Sequence, residues 1–321
     1  MKYSLSIVIP VFNEEESIPE LVEWIERVMK EQPLLSYEVI MIDDGSSDNS
    51  WEIIQDLAKQ KLQVKGLKFA RNYGKSAALH TGFKASEGEV VITMDADMQD
   101  SPDEIPALYH IIQNDGYDIV SGWKKKRHDP ISKTIPSKFF NFVTRKISGI
   151  KLHDFNCGLK AYRSKVVKNI EVYGEMHRYI PVIAKWNGFK KIGEKVVQHR
   201  ARKYGETKYG LERFLYGFLD LLSITFVSKF KKSPMHFFGA FGTLSFIFGF
   251  FVTLYVIARK FYEIHYNLPV REITDQPLFF LSLVALIVGV QLFLAGFIGE
   301  MITMNSPKKL DYIVDEEIGI G

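Results

Sequence analysis

The chain has 321 residues, with 41 Lys and Arg against 38 Asp and Glu, a formal net charge of +3. That even balance offers no case for a general nucleic-acid binder, which would carry a strongly basic domain. The single cysteine, Cys157, excludes an internal disulfide and a cysteine-built zinc site, and it fits a reducing compartment.

The opening stretch MKYSLSIVIPVFNEEES has a short apolar run, broken by Pro10 and followed by three glutamates. It does not read as a signal peptide, so the N-terminal part is expected in the cytosol. Residues 4–9 read as a strand. From Ser17 to about Lys30, Ile18, Leu21, Val22, Ile25 and Val28 recur at helical spacing, with Ser17 and Glu20 forming a possible capping box. A strand follows at 37–42, then the turn DDGSSD, a helix at about 49–60, a strand near 64–69 and a helix near 75–85. The apolar run EVVIT leads into MDADMQD. Alternating strand and helix predicts an α/β fold with a mostly parallel sheet and helices on both faces. Ligands bind at the carboxyl ends of such strands, where NEEES, DDGSSD and DADMQD fall.

If MDADMQD stays extended, Asp95, Asp97 and Gln99 project together. Two carboxylates placed close together repel unless a positive charge lies between them. Their hard oxygens suit Mg²⁺ or Mn²⁺, which take one or two carboxylates plus substrate phosphates. Asp43 and Asp44 follow a buried-looking strand and can accept hydrogen bonds from a base or ribose, whereas Asp48 suits a helix cap. The GKS of RNYGKSAALHTG is not a P-loop, because Phe69 stands where its first glycine is required.

Residues 236–258 and 278–299 contain no Asp, Glu, Lys or Arg. About 20 apolar residues at 1.5 Å rise cross a hydrocarbon core of about 30 Å, so both runs predict membrane spans. Lys229, Lys231 and Lys232 precede the first run and Lys308 and Lys309 follow the second, against Arg259, Lys260 and Arg271 between them. This modest positive-inside bias favours both ends in the cytoplasm. The expected organisation is a cytosolic catalytic domain over 1–210, an interfacial helix over 211–232, two spans within 233–304 and a cytosolic tail over 305–321. Residues 133–149 and 211–232 mix aromatic and aliphatic residues with Lys and Arg, as helices lying in a membrane interface do.

IVIPVFNEEESI, DDGSSD, RNYGKSAALHTG and MDADMQDSP, in this order, resemble the inverting family 2 glycosyltransferases of GT-A fold. DFNCGLKAYR, HRYIPV and HRARKYGETKYG resemble the branch that glycosylates polyprenyl phosphates, which includes the dolichol-phosphate mannose synthases. The two C-terminal runs are similar to those of its bacterial glucosyltransferases. The resemblance implies a nucleotide-sugar donor held by Pro10, Phe12, Glu14, Asp43, Asp44 and Asp95, with Arg202 and Lys208 on its diphosphate. It implies a metal, Mg²⁺ or Mn²⁺, at Asp95, Asp97 and Gln99, with Asp97 the main ligand.

Lys133 and Ser137 match an acceptor-phosphate site, with Lys124 to Arg127 a further basic stretch. Asp97, Asp154 and Arg202 form the catalytic set, Asp154 standing where some members are proposed to have a carboxylate. His153 and His177 read as structural or hydrogen-bonding residues. No Q-x-x-R-W motif is present, which favours single transfer over polymerisation. UDP-glucose is the favoured donor, with GDP-mannose and other UDP-sugars as alternatives. The expected setting is a multi-pass inner-membrane protein, in a homo-oligomer such as a tetramer, whose product passes to a flippase and a downstream acceptor transferase. The rivals are transfer to a diacylglycerol-type lipid, a non-catalytic scaffold, and a metal-dependent nucleotidyl- or phosphotransferase.

Overall fold

The computed structural model describes residues 2–125, 131–200, 234–269, 271–305 and 314–319, in two compact units. The first combines the N-terminal part with the chain's end; the second is an apolar helix pair.

The first unit is built on an eight-stranded sheet in the order β7-β5-β6-β4-β1-β2-β3-β8. Strands β1 (Tyr3–Val11), β2 (Tyr37–Asp43), β3 (Val64–Phe69) and β4 (Gly88–Thr93) form a parallel block. Beside β4, β6 (Lys160–Arg163) runs antiparallel and is followed by the parallel pair β5 (Ile119–Trp123) and β7 (Ile192–Val196). Alternation along β1 sends Leu5, Ile7 and Ile9 into one buried layer and Val8 into the other. Helices α1 (Ile18–Lys30), α2 (Ser50–Gln60) and α4 (Ile105–Asn114) cover the first face. Helices α3 (Lys75–Ala85), α6 (Ser164–Val167) and α7 (Ile180–Trp186) cover the second. The parallel strands are apolar almost throughout because both their faces are covered.

Helix α5 (Ile131–Ser148) packs Phe140 and Val143 on a smaller core of Ile150, Leu152, Phe155, Tyr179 and Val182. Phe142 and Ile147 remain exposed on it. Phe139, on the same helix, has no described side chain. The expected interfacial helix over 211–232 lies outside the described residues.

The tail carries a strand that the sequence did not announce. β8 (Val314–Ile318) pairs antiparallel with β3 at the sheet edge. Glu316 accepts hydrogen bonds from Trp51 Nε1 at 2.9 Å and Gln55 Nε2 at 3.0 Å, fixing the strand against α2.

The second unit contains α8 (Pro234–His265) and α9 (Pro277–Asn305), whose apolar spans have mean hydropathy 2.0 and 2.6. They pack through small residues, as membrane helices do. A Cβ on Gly242 would lie 2.7 Å from Gly289 O, and Ser245 Oγ donates to Ala285 O at 2.8 Å.

Candidate active site

The carboxyl ends of β1, β2 and β4 bring the three polar clusters to one edge of the sheet. Asn13 N donates to Ser46 Oγ at 3.0 Å, and Ser47 N donates to Asn13 Oδ1 at 2.8 Å, tying the loop after β1 to DDGSSD. Ser17 does not build the expected capping box. Its hydroxyl turns back to the Glu14 carbonyl and carboxylate, both at 3.1 Å, because the chain before α1 is itself a tight turn. Asp48 is not the cap, because the N-cap position falls to Asn49; its Oδ1 accepts from Ser50 N at 3.0 Å while Oδ2 accepts from Glu15 N at 3.1 Å.

Asp43 and Asp44 are buried and engaged with the loops around them. Asp43 Oδ1 accepts from Ser46 N at 3.0 Å and from the Ser46 hydroxyl. The Asp44 carboxylate accepts from Tyr73 N at 2.7 Å and Gly74 N at 2.9 Å. Burial, aided by the neighbouring Asp43, pushes the Asp44 carboxyl up to about 6, against the pull of those two amide donors. Gly45 has φ +71°, and an added Cβ would lie 2.7 Å from the Arg71 carbonyl carbon. Only glycine lets these loops meet there.

The DADMQD loop departs from the extended geometry expected of it. β4 ends at Thr93, and the chain turns through Met98 at φ 61°. Asp95 and Asp97 are therefore held by a turn and not by strand alternation. Asp97 is buried, and its Oδ1 accepts from Gln99 N at 3.2 Å. The backbone carbonyl of Gln99 accepts from Arg200 N at 3.0 Å. Asp95 forms an ion pair with Lys75, at the start of α3. Burial works against the Asp95 charge, yet Lys75, Lys124 and Lys160 hold its carboxyl below the usual range. A Cβ on Gly158 would lie 2.6 Å from the Asp95 carboxyl carbon, so this glycine gives the carboxylate its space.

Lys124 is not a free acceptor-phosphate cation. Its ammonium lies 2.8 Å from the fully buried Asp100 carboxylate, because the loop after β4 folds back over the end of β5. Asp154 is also buried; Oδ1 accepts from Asn156 N at 3.0 Å and its carbonyl accepts from Ser121 Oγ at 3.1 Å. His153 stacks on Trp123, with centroids 4.1 Å apart, and pairs with Glu194. His177 Nδ1 lies 3.1 Å from Ser76 Oγ. Ser137 sits half-buried on α5, and Lys133 lies on the same helix without a described side chain. Lys126, Arg127, Arg202 and Lys208 lie outside the described residues. Pro10, Phe12 and Glu14 lie half-buried at the end of β1 and in the loop after it.

The model of one family, glycosyl transferase family 2, matches residues 6–171. That span holds most of β1, all of β2 to β6 and the NEEES, DDGSSD and DADMQD clusters. The chain belongs to glycosyl transferase family 2.

This family 2 glycosyltransferase is 35% identical over 301 residues to the dodecaprenyl-phosphate galacturonate synthase of Rhizobium johnstonii, covering 93% of this chain and 87% of that one. It is 34% identical over 300 residues to the undecaprenyl-phosphate 4-deoxy-4-formamido-L-arabinose transferase of Aeromonas hydrophila, covering 93% and 88%. Among solved structures, glucosyl-3-phosphoglycerate synthase from Mycobacterium tuberculosis, in complex with Mn²⁺ and UDP-glucose, shares the fold at TM-score 0.53 and 18% identity, over 71% of this chain and 79% of that one. Sequence reasoning about the glycosyltransferase missed Lys75, Lys124 and Gly158 as contacts of the acidic loop. The first lay in plain view in GKS, which was weighed as a P-loop and counted within a family motif without a role for its lysine.

Proposed function

We propose that the enzyme transfers one sugar from a nucleotide-sugar donor to polyprenyl phosphate at the cytoplasmic membrane face, with inversion at the anomeric carbon. The observation that carries this reading is the reach of the two polyprenyl-phosphate relatives. Each aligns over 93% of the chain, through the apolar helices as well as the catalytic unit. The sequence favours UDP-glucose; the relatives' names speak of galacturonate and formamidoarabinose, so the donor class is a nucleotide sugar whose sugar a screen assigns.

Both segments that flank the helix pair contribute to one sheet, which favours a common, cytoplasmic side for them. Exposed Phe142 and Ile147 on α5, beside Lys138 and Lys146, suit contact with the lipid surface.

The acidic loop fits a divalent cation. It offers hard carboxylate oxygens, with the Asp95 carboxyl in the space left by Gly158. Among the described residues no group of three or more His, Cys, Asp or Glu surrounds a point, so a protein-built cage is not the pattern. One or two carboxylates sharing Mg²⁺ or Mn²⁺ with a diphosphate is the pattern that fits. Asp97 would hold the ion, which when bound offsets charge on the leaving nucleoside diphosphate. Asp44, read as a contact of the nucleotide, fixes the Tyr73–Gly74 backbone. The acceptor phosphate, with a second pKa of about 6, is already largely ionised at neutral pH and needs no strong base. Buried Asp154 fixes its own loop, its carboxylate accepting from Asn156 N and its backbone carbonyl from the Ser121 hydroxyl.

The test is a donor screen on full-length protein in detergent, with radiolabelled UDP- and GDP-sugars, undecaprenyl phosphate and Mg²⁺ or Mn²⁺. Metal-dependent label in an acid-labile lipid supports the reading, and Asp97→Ala abolishes it while the protein stays folded. Label on diacylglycerol lipids alone, or none with any donor, overturns it.

A further inference from the structure

The loop between α5 and β6 mixes buried and exposed side chains. Ile150, Leu152 and Phe155 are buried in the small core under α5, and Asp154 is buried as well. His153, between Leu152 and Asp154, has its side chain 50% exposed. It is nonetheless firmly held. Its backbone N–H donates to Glu194 Oε2 at 2.7 Å, and its Nδ1 bonds Glu194 Oε1. Its ring stacks on Trp123, with centroids 4.1 Å apart and planes 13° from parallel. Trp123 ends β5, and β5 runs in the same direction as β4, so the stack stands at the sheet edge that carries the acidic loop. An exposed histidine needs no such restraint to stay in water, and ordering a side chain costs entropy. What the restraint gives is direction. Glu194 occupies Nδ1, which leaves Nε2 as the nitrogen that can meet a ligand, and among the described residues none bonds it. The Lys125 ammonium, 5.7 Å from the Trp123 ring centroid, adds a cation beside this platform.

We propose that His153, oriented by Glu194 and Trp123, binds the phosphomonoester of the acceptor lipid through Nε2. This rests on the polyprenyl-phosphate reading above and adds a residue to it. Nε2 and a phosphate oxygen share one proton. An imidazolium donates it to a dianionic phosphate. A monoanionic phosphate hands its own proton to a neutral imidazole, its O–H bond breaking as the N–H bond forms, and the same pair results. Either way the hydrogen bond is charge-assisted, which makes it roughly twice as strong as a neutral one. A second phosphate pKa of about 6 supplies both forms near neutral pH. The loop that presents His153 is also the seat of α5, whose Phe140 and Val143 rest on it while Phe142 and Ile147 stay exposed. The lipid surface and the phosphate thus find their contacts on adjoining elements.

Binding of tritiated undecaprenyl phosphate to immobilised full-length protein in detergent, with unlabelled competitors, tests this without any donor or turnover. Wild type is expected to bind the lipid, and His153→Ala to bind it about 10- to 100-fold more weakly, the range expected of one charge-assisted hydrogen bond. Tritiated undecaprenol, which lacks the phosphate, is expected to bind both proteins alike, and this separates a phosphate contact from lost packing. The proposal is overturned if His153→Ala binds undecaprenyl phosphate as tightly as wild type, or if it loses undecaprenol in equal measure. It is also overturned if phosphatidic acid or inorganic phosphate competes as well as unlabelled undecaprenyl phosphate, which would assign the site to a phospholipid headgroup or to free phosphate. Absence of undecaprenyl phosphate binding by wild type overturns the polyprenyl-phosphate reading itself, and this proposal with it.

Discussion

Replacing Lys124 by methionine leaves a carboxylate buried without its partner. Asp100 is fully inaccessible, its ion-pair distance to Lys124 is 2.8 Å, and the pair sits between the acidic loop and the end of β5. Burial alone would discharge the lysine, yet Asp100 and the other acidic groups around it hold its pKa well above the ordinary value. Removing one member of such a pair costs about 3–5 kcal/mol, because the other charge stays buried and uncompensated. For a unit of this size each kcal/mol lowers the melting temperature by roughly 2–4 °C. Lys124→Met should therefore melt roughly 6–20 °C below wild type in a thermal-shift assay on detergent-solubilised protein. Asp100→Asn with Lys124→Met removes both charges and should recover at least half of that loss. A single variant that melts within about 2 °C of wild type, or a double variant no better than the single, would refute the argument that this pair is structural.

As a donor-site residue of the proposed transferase, Asp44 should make donor binding pH-dependent. Its folded-state pKa, raised to about 6, lies above the unfolded value, so the folded chain holds this proton more firmly between about pH 4 and 6. Its contribution to stability is accordingly fully present below that window and is lost as pH rises through about 6. Activity runs the other way, because protonation weakens the grip on Tyr73 N and Gly74 N. The donor KM should rise as pH falls below 6, and Asp44→Asn should flatten that profile. Gly158→Ala forces a methyl to within 2.6 Å of the Asp95 carboxyl; turnover should fall at least about tenfold, while the melting temperature moves by only a few degrees. Lys133→Ala should raise the KM for polyprenyl phosphate more than that for the donor, and equal effects on both would remove it from the acceptor site.

Much of the parallel sheet was legible because its strands are continuous apolar runs between turn residues. IVIPV, EVIMI and EVVIT read as buried strands, and they are β1, β2 and β4. The strands KAYR and VDEEI, β6 and β8, carry no such signal. Both are short, rich in charge and defined by the partner they lie against, which no local pattern reports. The acidic loop was recognised for its chemistry but misjudged in shape. A positive φ at Met98, a residue type that rarely adopts one, breaks the extended geometry that the alternation assumed. Lys75 pairs with a residue twenty positions away, and Lys124 with one twenty-four away. Such partnerships depend on strand order, and composition does not disclose them.

The position of β8 bears on how the protein is made. The first unit is discontinuous: its sheet is completed by residues that follow both apolar helices in the chain. A ribosome making this protein must finish and release the helix pair before the last strand can dock on β3. During that interval the β3 edge is an unpaired row of amides and carbonyls, the kind of surface that recruits strands from other chains. Glu316 then closes it by reaching Trp51 and Gln55. Cutting the chain before its apolar helices to obtain a soluble enzyme would leave that edge permanently open, whereas supplying the VDEEI segment through a short linker after α7 and β7 would give the sheet its final strand without the membrane.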